Sequence, residues 1–131
     1  MPKVTHFEIS ANEPEKVIPF YEKIFGWKTT KLEGPVEYWA VQTGPDTEPG
    51  IDGGFFRPNE WFSGTVNTIE VTDLDEYLDK VRHHGGEVVT EKMTIPGVGY
   101  LAYCKDVEGT LFGLTERDPG AGGWRKSEST A

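Results

Sequence analysis

The sequence predicts an α+β fold of two tandem βαβββ modules, whose eight strands form a curved sheet around a cleft. Three observations carry that reading. Sliding the 131-residue chain by 60 positions without a gap pairs Thr5 with Thr65, Ile9 with Ile69, Gly26 with Gly86, Asp46 with Asp106 and Gly53 with Gly113. Self-similarity at a fixed period marks a repeated structural unit. Each half also opens with a residue-by-residue alternation and then changes to a helical spacing. Gly- and Asp-rich corners divide the remainder of each half into three extended runs.

The first run, Val4 to Ala11, puts Phe7, Ile9 and Ala11 on one side and His6, Glu8 and Ser10 on the other, the pattern of a half-buried strand. Asn12 can then cap a helix, Pro14 suits its first turn, and Glu13 and Glu15 favour the positive end of its dipole. Val17, Phe20, Tyr21 and Ile24 recur at helical spacing and predict the stripe that packs on the sheet, with Gly26 closing the helix. Strands follow near Trp27 to Leu32, Glu37 to Thr43 and Gly53 to Arg57. Turn-forming Gly44-Pro45-Asp46 and Pro49-Gly50 separate the last two.

The second half repeats the plan. Thr65 to Val71 is its strand, Asp73 its cap, and Leu74, Tyr77, Leu78 and Val81 the stripe of a helix ending at Gly85-Gly86. Further strands are expected near Glu87 to Lys92, Tyr100 to Lys105 and Thr110 to Glu116. Residues 1–60 thus form the first module with its connector and residues 61–117 the second, within one structural domain. Residues 118–131 form a flexible tail, for want of periodicity and apolar mass.

Composition narrows the function. Against 22 Asp and Glu stand 13 Lys and Arg, and a net charge of −9 opposes the phosphate backbone, which makes nucleic acid an unfavourable partner. The apolar runs are far short of the roughly 20 residues a membrane span needs, and no secretory h-region follows the first residues. A single cysteine, Cys104, excludes an internal disulfide and suits the reducing cytoplasm.

The repeat, together with Phe20-Tyr21-Glu22-Lys23-Ile24-Phe25-Gly26-Trp27 at the end of the first helix and Tyr103-Cys104-Lys105-Asp106-Val107-Glu108-Gly109 before the last strand, resembles the vicinal oxygen chelate superfamily. That superfamily includes glyoxalase I, extradiol dioxygenases and the fosfomycin and bleomycin resistance proteins. The resemblance covers about residues 3 to 117. It implies that metal-using members draw one His or Glu ligand from the first and one from the last strand of each half. The corresponding positions are His6, Val66 or Asn67 in a slipped register, Gly53 or Gly54, and Gly113. Three of the four cannot serve as metal ligands, so no metal ligand and no cofactor is expected.

The expected function is accordingly the binding of a small organic ligand in a metal-free cleft, as the bleomycin resistance branch implies, with a homodimer as the assembly. The two first strands supply His6, Glu8, Thr68 and Glu70 to the ligand pocket. Tyr38 and Gln42 share the mixed-polarity face of their strand, Gly53 and Gly54 allow close approach, and Tyr100 borders the cleft. An acidic surface would steer a cationic ligand. The alternative is a metal-dependent lyase, isomerase or dioxygenase using His6 with Glu8 or Glu70, a donor set that several divalent ions accept. His6 and Glu8, roughly 6–7 Å apart along one strand, could also act in metal-free acid–base chemistry. An interaction module built on Trp61-Phe62 is a third class. His83-His84 reads as a helix-end pair and Cys104 as a small packing residue.

Overall fold

The computed structural model describes residues 2–33, 37–60 and 62–121; Trp61 and the expected tail from residue 122 onward lie outside the described residues. The chain divides into two compact units, one spanning Thr5–Asn67 and the other the residues up to Val4 with those from Thr68 on. The first has the βαβββ order, and the second has the same order with one short strand added. The first contains β1 (Lys3–Ser10), α1 (Pro14–Phe25), β2 (Lys28–Lys31), β3 (Tyr38–Gln42) and β4 (Asp52–Phe56). The second contains β5 (Thr65–Val71), where the division falls, then α2 (Leu74–His83), β6 (Glu87–Val88), a short additional β7 (Met93–Ile95), β8 (Gly99–Lys105) and β9 (Leu111–Arg117).

In the first unit the strands lie in the order β2-β3-β4-β1, with β1 and β4 parallel and the other pairs antiparallel. The register sets His6 beside Asp52, Glu8 beside Gly54, and Ala40 across from Gly54. Because side chains alternate between faces, one face carries Ile9, Trp39, Val41 and Phe55. These pack with Ile18, Val17, Tyr21 and Trp27 into one core cluster. The opposite face carries His6, Glu8, Tyr38 and Gly54.

The helix presents a different stripe from the one expected. Pro14 and Ile18 are buried, and Val17 and Tyr21 pack partly against the core, whereas Phe20 and Ile24 are each 56% exposed. The Trp27 indole stacks on Tyr21 at 5.1 Å between ring centres and 9° between planes. Both rings pack against the same core cluster, and Trp27 precedes β2 rather than starting it. The cap also differs. Asn12 stands one position too early, the N-cap is Glu13, and no side chain caps the helix. Gly26 does close it, in a left-handed conformation (φ 73°) that strains any other residue, with its N–H donating to the Glu22 carbonyl.

The second unit follows its sequence pattern closely. Leu74 and Leu78 are buried with Val71, Ala102, Cys104 and Leu114, and Tyr77 and Val81 pack against them. Asp73 caps α2 as expected by accepting from the Glu76 N–H at 3.1 Å. A second carboxylate, Glu116 of β9, accepts from the Leu74 N–H at 2.9 Å. Two of the donors that a helix start leaves unpaired are therefore satisfied.

The strand expected near Glu87 to Lys92 is interrupted. The Thr90 hydroxyl oxygen accepts from the Tyr103 N–H at 3.0 Å, which ends β6 at Val88 before the chain returns to β8 as β7. Residues 118–121, expected in the frayed tail, instead form a turn in which buried Ala121 donates to Asp118 and accepts from the Gly97 N–H.

Candidate functional site

Alternation along β1, β3 and β4 brings four of the expected residues together on the helix-free face of the first unit. His6 and Glu8 project from β1. Tyr38 begins β3 two residues before Ala40, the partner of Gly54. Its phenol lies over Gly54, so closely that a methyl group on that glycine would collide with the hydroxyl and ring. A glycine is needed here because the space next to its Cα is already occupied.

The Tyr38 hydroxyl lies 2.9 Å from His6 Nε2 and also hydrogen-bonds toward the Glu8 carboxylate. Glu8 is 5% exposed, an unusual position for a carboxylate. Burial, the Glu8 charge and the Glu8 hydrogen bond together push the Tyr38 phenol far above its ordinary pKa, so it keeps its proton. Burial holds His6 below its ordinary range, against the opposing pull of Glu8 and Asp52. The site at neutral pH is a protonated phenol between a buried carboxylate and a largely neutral imidazole.

The other expected residues are elsewhere. Gly53 is on the helix side of β4, where a Cβ would meet the Phe7 carbonyl and ring, so it serves packing. Gln42 is exposed and donates to the Gly44 carbonyl of its own turn at 3.3 Å. In the second unit Thr68 is buried against Gly113, and a Cβ there would stand 2.8 Å from Thr68 Oγ1. Glu70 pairs with Arg117 at 3.2 Å. Tyr100 packs on the α2 cluster, opposite in face to Thr68, Glu70 and Gly113, and donates to Asp118 at 3.2 Å.

Two participants escaped the sequence reading. Asp52 lies beside His6 only because β1 and β4 pair in parallel, and Tyr103 reaches the Gly113 position only through the β8–β9 register. Neither carries a local signal. Phe62 is buried edge-on against Phe56 at 4.0 Å, which removes half of the Trp61-Phe62 patch, and Trp61 lies outside the described residues. The His84 ring Nδ1 meets the Lys80 carbonyl at 3.0 Å, in keeping with a helix-end role. Cys104 is buried in the α2 core.

The arrangement also decides between the two glycines as counterparts of a metal ligand. Gly54 shares the His6 face and Gly53 does not. At Gly54 and Gly113 alike, the space a ligating side chain would need is filled, by Tyr38 in one case and Thr68 in the other. Among the described residues, no group of three His, Cys, Asp or Glu side chains is placed to hold a metal ion. The donors present, one imidazole already paired with a phenol, one buried carboxylate and the Asp52 carboxylate engaged by Thr43, do not fit the nitrogen and oxygen cage that a divalent ion requires.

The model of the Glyoxalase/Bleomycin resistance protein/Dioxygenase superfamily matches residues 3–114. The chain belongs to this superfamily. It is 26% identical over 119 residues to a Mycobacterium bovis protein described as "Putative glyoxylase CFP32", covering 86% of this chain and 43% of that protein. The chain thus spans less than half the length of that relative. A glyoxylase-like domain-containing protein of Didymella fabae is 28% identical over 122 residues, covering 88% of this chain and 94% of the relative. Among solved structures, methylmalonyl-CoA epimerase from Mycobacterium tuberculosis superposes with a TM-score of 0.67 at 17% identity, over 88% of each chain. At that identity the likeness concerns the fold. Among the described residues no helix is long and apolar enough to cross a membrane.

Proposed function

We propose that this superfamily member binds a small organic molecule without a metal ion, on the sheet face that carries His6, Glu8 and Tyr38. One observation carries the proposal: a buried carboxylate, a phenol and a half-buried imidazole are linked on the face opposite α1, above a glycine where a ligating side chain would otherwise stand. Polar groups placed inside an otherwise apolar fold cost stability unless they are satisfied or used, and orienting a ligand is a use that suits a few fixed donors and acceptors. The reducing cytoplasm is the proposed setting.

The test is metal content by inductively coupled plasma mass spectrometry on protein purified without chelators, paired with His6→Ala and a small-molecule thermal-shift screen. Substoichiometric metal, together with compounds that stabilise the wild type and not His6→Ala, supports the reading. One equivalent of a transition metal that disappears in His6→Ala would overturn it in favour of a lyase, isomerase or dioxygenase using His6 with Glu8 or Glu70.

A further inference from the structure

The hydrogen bonds of the His6 face have a direction, and that direction specifies which ligand chemistry the site can accept. A phenol has a single proton to give, and an ionised carboxylate only accepts. Between Glu8 and His6 the Tyr38 proton therefore goes to Glu8, where the negative charge is. The phenol oxygen is left with lone pairs, and the contact at 2.9 Å to His6 Nε2 must be closed by a proton on that nitrogen. A neutral imidazole with its proton on Nε2 has a bare lone pair on Nδ1. His6 makes no hydrogen bond other than that to Tyr38 among the described residues, so Nδ1 has no partner within them.

From this geometry we infer that Glu8, Tyr38 and His6 form one directional chain, phenol to carboxylate and imidazole to phenol, which fixes His6 as the Nε2–H tautomer and makes Nδ1 the acceptor for a hydroxyl or N–H group of a small molecule. The inference rests on the small-molecule reading above and deepens it, by naming the ligand as a hydrogen-bond donor at this atom. It also assigns Tyr38 a positioning role. The phenol holds the His6 ring orientation and chooses which nitrogen is free. Three features reinforce the arrangement. Glu8 is buried, which strengthens its hydrogen bond. The Tyr38 ring is held over Gly54 with no room to retreat toward the sheet. Asp52, the other carboxylate acting on His6 among the described residues, already accepts from the Thr43 N–H at 2.9 Å and the Thr43 hydroxyl at 3.2 Å.

The experiment is long-range proton–nitrogen correlation NMR on the full chain labelled with 15N-histidine, near pH 7. His6 is assigned among the three histidines by the signal lost in His6→Gln. The expected spectrum shows a pyrrole-type Nε2 and a pyridine-type Nδ1. In Tyr38→Phe, which keeps the ring over Gly54 and removes only the hydroxyl, the two nitrogens should move toward the averaged values of exchanging tautomers. A proton on Nδ1, an imidazolium, or a spectrum unchanged by Tyr38→Phe would overturn the chain. The wild-type spectrum alone decides the tautomer should that variant not fold.

The acceptor role is read by adding phenol and, separately, anisole, which differ in the presence of a donor. A shift of Nδ1 toward the pyrrole type with phenol alone is expected. Equal shifts with both, or none with either, would overturn it. A thermal-shift screen without a single stabilising compound would sink the small-molecule reading but leave the tautomer intact, so the two failures are distinguishable.

Discussion

Gly54→Ala is the most informative single change. The new methyl group would collide with the Tyr38 hydroxyl and with its ring, whose Cε2 would stand 2.8 Å away. The phenol must swing out, and swinging out breaks its contacts to His6 and Glu8. A hydrogen bond to a charged group is worth about 1.5–3 kcal/mol, and forcing an extra methyl into a filled space costs about 1–3 kcal/mol. Tyr38 is half-buried, so part of its loss is recovered by water, which places the expected destabilisation at about 2–4 kcal/mol. For a domain of this length that lowers Tm by roughly 8–15 °C.

The assay is urea and thermal unfolding of wild type, Gly54→Ala, Tyr38→Leu and the double variant. In the double variant the methyl group has room, so the two losses should fail to add by about 1–3 kcal/mol. Gly54→Ala costing under about 0.5 kcal/mol, or losses that simply add within the usual ~0.5 kcal/mol of independent sites, would refute the packing argument.

The helix caps make an asymmetric pair. Asp73→Ala should cost about 1 kcal/mol because its carboxylate accepts from Glu76 N–H, whereas Asn12→Ala should stay within about 0.5 kcal/mol because no side chain caps α1; chemical denaturation reads both. On α1, Ile18→Ala should cost about 2–4 kcal/mol, while Ile24→Lys, at a position 56% exposed, should be close to neutral in the same experiment. Burial pushes the Cys104 thiol up to about 11. Iodoacetamide should therefore leave it unmodified in folded protein at pH 8, and mass spectrometry should find labelling only after urea is added. The sign for stability follows: the folded pKa is raised, so between the ordinary thiol value and about 11 the unfolded chain loses the proton first, and stability falls as pH rises through that window.

Much of the fold was legible because the relevant interactions are local or periodic. Alternation in Val4 to Ala11 sorted His6 and Glu8 from Phe7 and Ile9. The second helix stripe held residue for residue, and its N-cap held as well. The first stripe did not, and the repeat contained the correction. Shifting Leu74, Tyr77, Leu78 and Val81 back by 60 positions gives Pro14, Val17, Ile18 and Tyr21, the residues that face the sheet. Apolar character alone favoured Phe20 and Ile24, which fit the helical period equally well but point outward.

The candidate site was legible in composition and not in assembly. That His6 and Glu8 share a face follows from one strand, and that Tyr38 shares the polar face of its strand follows from another. Which glycine lies beneath them depends on the pairing of β1 and β3 with β4, and a slip of one residue would exchange Gly53 for Gly54. Pairing between distant segments is set by side-chain packing that no local pattern encodes. The sequence by itself therefore determined the repeat, the helices and the faces of the strands. Only the tertiary structure decided that the Tyr38 phenol occupies the space over Gly54 and joins His6 to buried Glu8, because those contacts exist only once three strands have been set in register.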